Sequence, residues 1–276
     1  MEYLLGKEIA KTIKEEVSEK IKHLDRAPSY CVLVNGEDSS SVGYVKMQEK
    51  TCLNLGIKFQ MRMIEGNEEA YLNEIRKIND DPSIDACLIT RPLFKGADEN
   101  KIIATLSPKK DVDAMNPLTL GELFTSKEGY LAPATAEAII EIIKYFNIDV
   151  LGKKVLVVGR SVSVGKPVSM MLLQMDGTVT IAHSKTIDLE DHLKEADIVV
   201  VAVGKPHIID GDKIKEGAIC IDAGIHYLES GIVGDVKPSE KLKFITKVPG
   251  GVGTVTSACL MKNILKCYER NHLNGK

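Results

Sequence analysis

Four stretches of this chain carry residue types at spacings suited to chemistry. In the first, Lys153–Val158 is a short β-branched run that stops at Gly159. The polar turn Arg160-Ser161-Val162-Ser163-Val164 follows, and Gly165-Lys166-Pro167 opens an apolar helical stretch. Backbone N–H groups at such a helix start, with the positive end of the helix dipole, suit an anionic diphosphate. The two glycines permit positive φ and close approach of a ligand. Ser161 stands where the middle glycine of G-x-G-x-x-G would be, so the turn also fits a plain strand-to-helix connection. In the second stretch Tyr44 and Gln48 are four residues apart, on one face of a helix. In the third, a lysine pair precedes Asp111-Val112-Asp113, and in the fourth, far downstream, Pro249-Gly250-Gly251-Val252-Gly253 opens the last helix. Each has a structural reading too: a core tyrosine, an aspartate in a turn or cap, a helix-entry loop.

The elements that must position these residues alternate regularly. Ile9, Ile13, Val17 and Ile21 mark an amphipathic helix over 7–23. Tyr30–Asn35 reads as a buried strand, Ser39–Leu55 as a helix closed by Gly56, Ile57–Ile64 as a strand, Glu68–Asn79 as a helix, and Ile84–Thr90 as a strand ended by Arg91-Pro92. After the apolar helix Thr135–Phe146, strands are expected at Thr178–Ala182, Asp197–Val203 and Ala218–Asp222, with helices between them and a final helix over Thr256–Tyr268. Such alternation implies parallel sheets covered on both faces. In the second half the strand ends Gly159, His183, Gly204 and Ala223 would line one edge, where a doubly wound sheet binds its ligand. That favours a dinucleotide site over packing alone.

Composition narrows the classes. With 276 residues, 44% hydrophobic and 27% charged, the chain can bury one large or two small cores. A net charge of -3, with both signs interspersed, gives no pull toward nucleic acid or acidic membranes. No apolar run reaches membrane-spanning length, and the start of the chain is too polar for a signal peptide. The six cysteines show no metal-ligand spacing and read as buried thiols of a reducing compartment. The expected location is the cytoplasm, with no metal, nucleic-acid or membrane partner.

The end of the second cofactor-domain strand chooses the dinucleotide. An NAD site commonly has a carboxylate there; this chain has Ala182-His183-Ser184-Lys185, and Arg160 adds a cation in the first turn. A hydroxyl and two cations suit a ribose 2′-phosphate, so NADP is expected.

Taken in order, these motifs resemble the bifunctional methylenetetrahydrofolate dehydrogenase/methenyltetrahydrofolate cyclohydrolase family across essentially the whole chain. The match comprises Tyr44-Val45 after a serine loop, Lys110-Asp111-Val112-Asp113, Pro133-Ala134-Thr135, and the Gly159–Pro167 turn. It continues through Val203-Gly204-Lys205-Pro206, Ile221–Ile225 and Val248–Gly253. The resemblance implies two α/β domains joined by two long helices with a cleft between, the second domain a Rossmann-like doubly wound parallel sheet. Residues 1–118, completed by a helix over 254–276, would form the catalytic, folate-binding domain, and 119–253 the NADP domain. It implies oxidation of 5,10-methylenetetrahydrofolate to the methenyl form with hydride passing to NADP, then hydrolysis to 10-formyltetrahydrofolate, by a homodimer built through the cofactor domain.

Residue by residue, the resemblance places Tyr44, Gln48 and Asp113 at catalytic positions and sets Tyr44, Thr90, Arg91, Asp113, Pro249, Gly250, Gly251 and Val252 along the reduced folate. Gly159, Arg160, Ser161, Gly165, Ser184, Lys185, Val203, Gly204 and Ile225 would lie along the cofactor. Three positions depart from the family. Gln48 replaces its active-site lysine, Thr90-Arg91 replaces a glutamine and an apolar residue, and Thr254 replaces a proline. Glutamine carries no charge and cannot serve as acid or base near neutrality. Either Arg91, or water ordered by Gln48 and Thr90, takes over the lysine's electrostatic role, or cyclohydrolase activity is weak or lost. A shikimate-type dehydrogenase would need a Lys–Asp pair in the first domain that is not found. A non-catalytic nucleotide sensor would leave Tyr44, Asp113 and the Pro-Gly-Gly loop without a reason.

Overall fold

The computed structural model describes residues 1–36 and 39–272; the side chains of 39–42 and 44 lie outside that description. In chain order the first elements are β1 (Glu2–Leu4), α1 (Lys7–Lys22), β2 (Ser29–Asn35), α2 (Ser39–Leu55), β3 (Lys58–Ile64), α3 (Glu68–Asp80), β4 (Ala86–Ile89), α4 (Glu99–Thr105), α5 (Pro117–Phe124) and α6 (Ala134–Tyr145). Then follow β5 (Lys154–Val158), α7 (Gly165–Leu173), β6 (Thr178–Ala182), α8 (Leu189–Glu195), β7 (Ile198–Val201), β8 (Ile209–Asp210), β9 (Ile219–Asp222), β10 (His226–Leu228), β11 (Gly231–Val233), β12 (Val236–Lys237), β13 (Phe244–Thr246) and α9 (Val252–His272).

The chain forms two compact units. One holds Met1–Thr12, Leu123–Glu128 and Ala132–Cys259; the other holds Ile13–Glu122, Gly129–Leu131 and Leu260–Lys276. Helices α1 and α9 therefore contribute residues to both. Helix α6, a candidate bridge from its apolar length, belongs to the first unit alone.

The first unit is built on a parallel sheet of order β1-β13-β9-β7-β5-β6. Its central strands are continuous apolar runs: Val155–Val158 and Ile198–Val201 are buried at every position, as strands covered on both faces require. Counted from β5, the strands β6-β5-β7-β9-β13 run 2-1-3-4-5, the flavodoxin-like doubly wound order. Its switch point lies between β5 and β7. The strand β1 was not expected. Three residues are too few for a periodic pattern, and its partner β13 is some 240 positions away, with Glu2 opposite Phe244 and Leu4 opposite Thr246. It moves residues 1–12 away from the 1–118 segment with which the sequence groups them.

The second unit carries the parallel sheet β3-β2-β4, with Tyr30 opposite Phe59 and Ala86. Beyond β4, Asp111 forms one further parallel bridge with Cys87, so the Lys110–Val112 segment runs beside the sheet. Helix α3 packs Tyr71, Leu72, Ile75 and Ile78 into the core over Cys31, Leu33 and Cys87. At its carboxyl end the buried Lys110 ammonium donates to the Ile78, Asn79 and Asp81 carbonyls at 2.6, 3.1 and 2.6 Å, adding a charged donor where a helix end runs short of backbone partners. Deeper still, the fully buried Asp85 accepts both terminal nitrogens of Arg26 at 2.7 Å and the Ser29 amide at 2.8 Å. All six cysteines are free and buried. Among the described residues no helix is long and apolar enough to cross a membrane.

Candidate active site

The turn after β5 has the expected path. Gly159 takes φ +124°, a conformation costly for any residue with a Cβ. The space beside its glycines is filled by the protein itself. A Cβ on Gly165 would fall on the Gly159 carbonyl, and one on Gly159 would fall on the Ala202 carbonyl. These glycines therefore serve close packing of strand, turn and helix, and not primarily room for a ligand. Ser161 supplies the cap that the missing middle glycine obscures. Its Oγ accepts the Val164 and Gly165 amides at 3.1 and 3.3 Å, leaving the hydroxyl hydrogen to donate elsewhere. A Gly165→Ala change is expected to destabilise the unit by about 3 kcal/mol or more, because backbone and not a flexible side chain blocks the methyl group. A melting-temperature shift under about 2 °C would contradict this.

Arg160 lies on this turn and Ser184 and Lys185 on the neighbouring one, since Val158 pairs with Ala182 and the Gly159 amide donates to the Ala182 carbonyl at 2.9 Å. All three are exposed. Among the described residues neither cation is in an ion pair, and no carboxylate stands at 183–187 to oppose them. That donor set fits the ribose phosphate of NADP.

The loops after β7 and β9 are organised by two carboxylates: Asp235, which lies in none of the motifs, and Asp222, which the Ile221–Ile225 motif contains without assigning it a role. Asp235 is fully buried and accepts the Val203, Gly204 and Lys205 amides at 2.6, 2.9 and 3.0 Å, with His226 Nε2 at 2.7 Å. Val203 and Gly204, expected along the cofactor, thus have their N–H groups committed inside the protein; they can meet a ligand only through their other surfaces. Asp222, at the end of β9, accepts the Gly224, Asp235 and Val236 amides at 2.8, 3.0 and 2.9 Å. Burial pushes its carboxyl up to about 6, against these three donors. Ile225 follows, 47% exposed. In the same unit the Pro249–Val252 segment is pinned by the Gly6 amide, which donates to the Gly250 carbonyl at 2.8 Å, and Pro249 and Gly250 stay exposed.

In the other unit the predicted substrate residues divide into separate arrangements. Tyr44 sits on α2 one turn before Gln48, and its side chain lies outside the described residues. Gln48 is 5% exposed; its Oε1 accepts the Tyr30 hydroxyl at 2.8 Å and its Nε2 has no partner among the described residues. Thr90 is not bonded to it. The Thr90 amide and hydroxyl both donate to the Leu33 carbonyl, at 2.9 and 3.1 Å. A water shared by Gln48 and Thr90 would have to compete with that bond. Arg91, by contrast, meets Asp113: Nη1 lies 3.3 Å from Oδ2, and Nε bonds Glu99.

The Asp111–Asp113 segment is fixed from several sides. Lys110 is spent on α3, Asn263 of α9 donates to the Val112 carbonyl at 3.0 Å, and Asp111 accepts the Asn116 amide at 2.6 Å. Asp111 is 4% exposed, and burial, with a smaller push from Asp113, lifts its carboxyl to about 7. The fold thus favours protonated Asp111. Its contribution to stability is complete below the ordinary aspartate value near 4 and is lost as the pH rises through about 7. An Asp111→Asn variant, which keeps an acceptor but not the charge, is expected to gain stability relative to the parent between pH 5 and pH 8, by about 2 kcal/mol or more. Parallel melting curves at the two pH values would refute it.

Sequence reading missed Tyr30, Glu99, Asp222 and Asp235. Tyr30 had only its place in a buried strand as a signal, and Glu99 only its place in the first turn of α4. Asp222 lay inside the Ile221–Ile225 motif with no role assigned to it, and Asp235 had no signal, since the main partners of both are backbone amides brought in by the fold.

Two α/β units, one of them a doubly wound parallel sheet with a phosphate-sized turn at its switch point, define a dinucleotide-dependent enzyme class. Within that class the chain belongs to the tetrahydrofolate dehydrogenase/cyclohydrolase family. Residues 4–113 match its catalytic domain and residues 133–272 its NAD(P)-binding domain. The bifunctional protein FolD of Clostridium botulinum (strain Eklund 17B / Type B) is 44% identical over 276 residues, spanning 96% of this chain and 98% of that relative. Among solved structures, the bifunctional FolD dehydrogenase/cyclohydrolase of Campylobacter jejuni superposes with a TM-score of 0.94 at 35% identity, covering 98% of this chain and 99% of its own. The Trypanosoma brucei enzyme, complexed with NADP cofactor and inhibitor, does so at 0.90 and 30% identity, covering 97% of each chain.

Proposed function

We infer that this chain oxidises 5,10-methylenetetrahydrofolate to 5,10-methenyltetrahydrofolate with NADP and hydrolyses the product to 10-formyltetrahydrofolate. The observation that carries this reading is the match of both family domains in order, on a fold whose switch-point turn bears Arg160 and whose neighbouring turn bears Ser184 and Lys185. NADP supplies the hydride acceptor when bound. The protein's part in that step is placement: the Gly159–Gly165 turn and the Ser161-capped helix for the diphosphate, the two cations for the 2′-phosphate, Val203, Gly204 and Ile225 beside the cofactor. For the folate, Asp113 offers a carboxylate to the pterin N–H groups and Pro249 and Gly250 an exposed surface, with Gly251 and Val252 buried behind them; Tyr44 completes the set. We assign the substrate to residues 1–118 with the last helix, the cofactor to 119–253, and expect a cytoplasmic homodimer joined through the cofactor domain.

One set of observations favours a second reading, dehydrogenase with weak cyclohydrolase. Gln48 carries no charge, Thr90 is committed to Leu33, and Arg91 is faced by two carboxylates, so none of the three is a free cation or proton carrier. Turnover with methylenetetrahydrofolate and either NADP or NAD, following the methenyl intermediate and its decay separately, tests both. Methenyl formed with NADP and consumed faster than in buffer supports the bifunctional reading. Methenyl that accumulates and decays only at the buffer rate supports the second. No methenyl with either cofactor overturns both.

A further inference from the structure

The Arg91 guanidinium sits between two acids. Nε bonds Glu99 in the first turn of α4, and Nη1 lies 3.3 Å from Asp113 Oδ2. Asp113 keeps 26% of its side-chain exposure and Arg91 34%, so the pair opens to solvent on one side. Among the described residues Asp113 takes no other side-chain hydrogen bond, so Oδ1 has acceptor capacity left for a ligand. We propose that Arg91 is a positioning residue for the substrate: braced by Glu99, it holds the Asp113 carboxylate oriented and ionised to accept the paired N–H donors of the pterin ring. This inference rests on the folate reading above and deepens it, because it explains why a cation stands beside a substrate-binding acid at a position the family fills with an apolar side chain.

The electrostatics around Asp113 make the cation matter. Burial raises the Asp113 pKa, and Arg91 is the group that opposes the rise. Asp111, two residues away on the same segment, is itself lifted by burial and by Asp113, so it offers no compensating positive charge. Glu99 faces Arg91 from α4, and Lys110 on the other side is turned away onto the end of α3. Arg91 is therefore the cation in contact with Asp113 among the described residues. Without it, a larger fraction of Asp113 is protonated near neutrality. A protonated carboxyl offers a donor where the pterin also presents a donor.

The test is steady-state dehydrogenase kinetics of the full chain from pH 6 to pH 9, on the parent and on Arg91→Leu, Arg91→Lys and Glu99→Gln. Arg91→Leu is expected to raise KM for methylenetetrahydrofolate about tenfold at pH 7, with the acid-side rise in KM moved to higher pH. At pH 9 and saturating folate kcat should approach the parent value, and KM for NADP should be unchanged. Arg91→Lys should restore part of the loss, since it keeps the charge but not the fork. Glu99→Gln, which removes the brace but also a negative charge beside Arg91, should raise KM for the folate by a smaller factor without moving the acid limb to higher pH, and it keeps the test available if Arg91→Leu fails to fold. An Arg91→Leu profile parallel to the parent overturns the proposal, as does an equal rise in both KM values. Absence of folate turnover by the parent overturns the functional reading instead.

Discussion

A Gln48→Lys variant is expected to hydrolyse methenyltetrahydrofolate about 10- to 100-fold faster than the parent, while its dehydrogenase rate changes by less than about threefold. Gln48 is 5% exposed, on the face of α2 that carries Tyr44 one turn earlier. A lysine there would be pulled down from its usual pKa by desolvation, toward the range where one group can both take and return a proton. The Tyr30 hydroxyl, now donating to Gln48 Oε1 at 2.8 Å, can rotate to accept from the ammonium. The glutamine Nε2 is a buried donor without a partner among the described residues, so the site already bears the cost of an unpaired polar group, about 1–3 kcal/mol, that a better-placed donor would remove. Hydride transfer depends on holding a carbon against the nicotinamide ring and should be largely indifferent to this change. The measurement is the decay of chemically prepared methenyltetrahydrofolate, corrected for the buffer rate. An unchanged hydrolysis rate would show that the lysine's work had passed to another group.

What could be read from the sequence was what repeats locally. The parallel strands announced themselves as apolar runs, the helices as four-residue spacings, and the cofactor turn as a glycine-bounded polar loop. Those predictions hold because strand and helix patterns are set by neighbours in sequence. The short strand β1 was beyond reach because its identity is conferred by Phe244–Thr246 at the far end of the chain. The site shows the same divide. The Arg91–Asp113 contact joins positions 22 apart, and the sequence suggested both residues without suggesting that they meet. Lys110, quoted from the sequence only as part of the Lys-Asp-Val-Asp motif, proved to hold the end of α3. The conserved-looking geometry of a motif thus mixes residues that meet a ligand with residues that hold the loop, and only distances separate them.

The largest effect outside any motif is expected at Asp235. Its carboxylate gathers three successive loop amides and the His226 ring in a fully buried position, which is how a protein holds a loop rigid without a helix or strand. A Cβ on Gly224 would fall on this carboxylate and one on Gly234 on that of Asp222, so the two glycines and the two acids form a single packed unit. Asp235→Ala removes the acceptor but leaves the donors. Water can reach the exposed 203–205 loop and limits the loss, so the expected destabilisation is about 3 kcal/mol and not the sum of four unmade bonds. The functional consequence is sharper than the thermal one. With Val203–Lys205 released, the loop after β7 that we propose lies along the cofactor loses its shape, and KM for NADP should rise at least about tenfold. KM for the folate, proposed to bind through Asp113 in the other unit, should move far less. Asp235→Asn separates charge from shape, since it keeps one acceptor oxygen and should fall between the parent and the alanine variant. Equal changes in both KM values would instead mean that Asp235 supports the fold as a whole, and an unchanged KM for NADP would mean that the loop takes its shape without it.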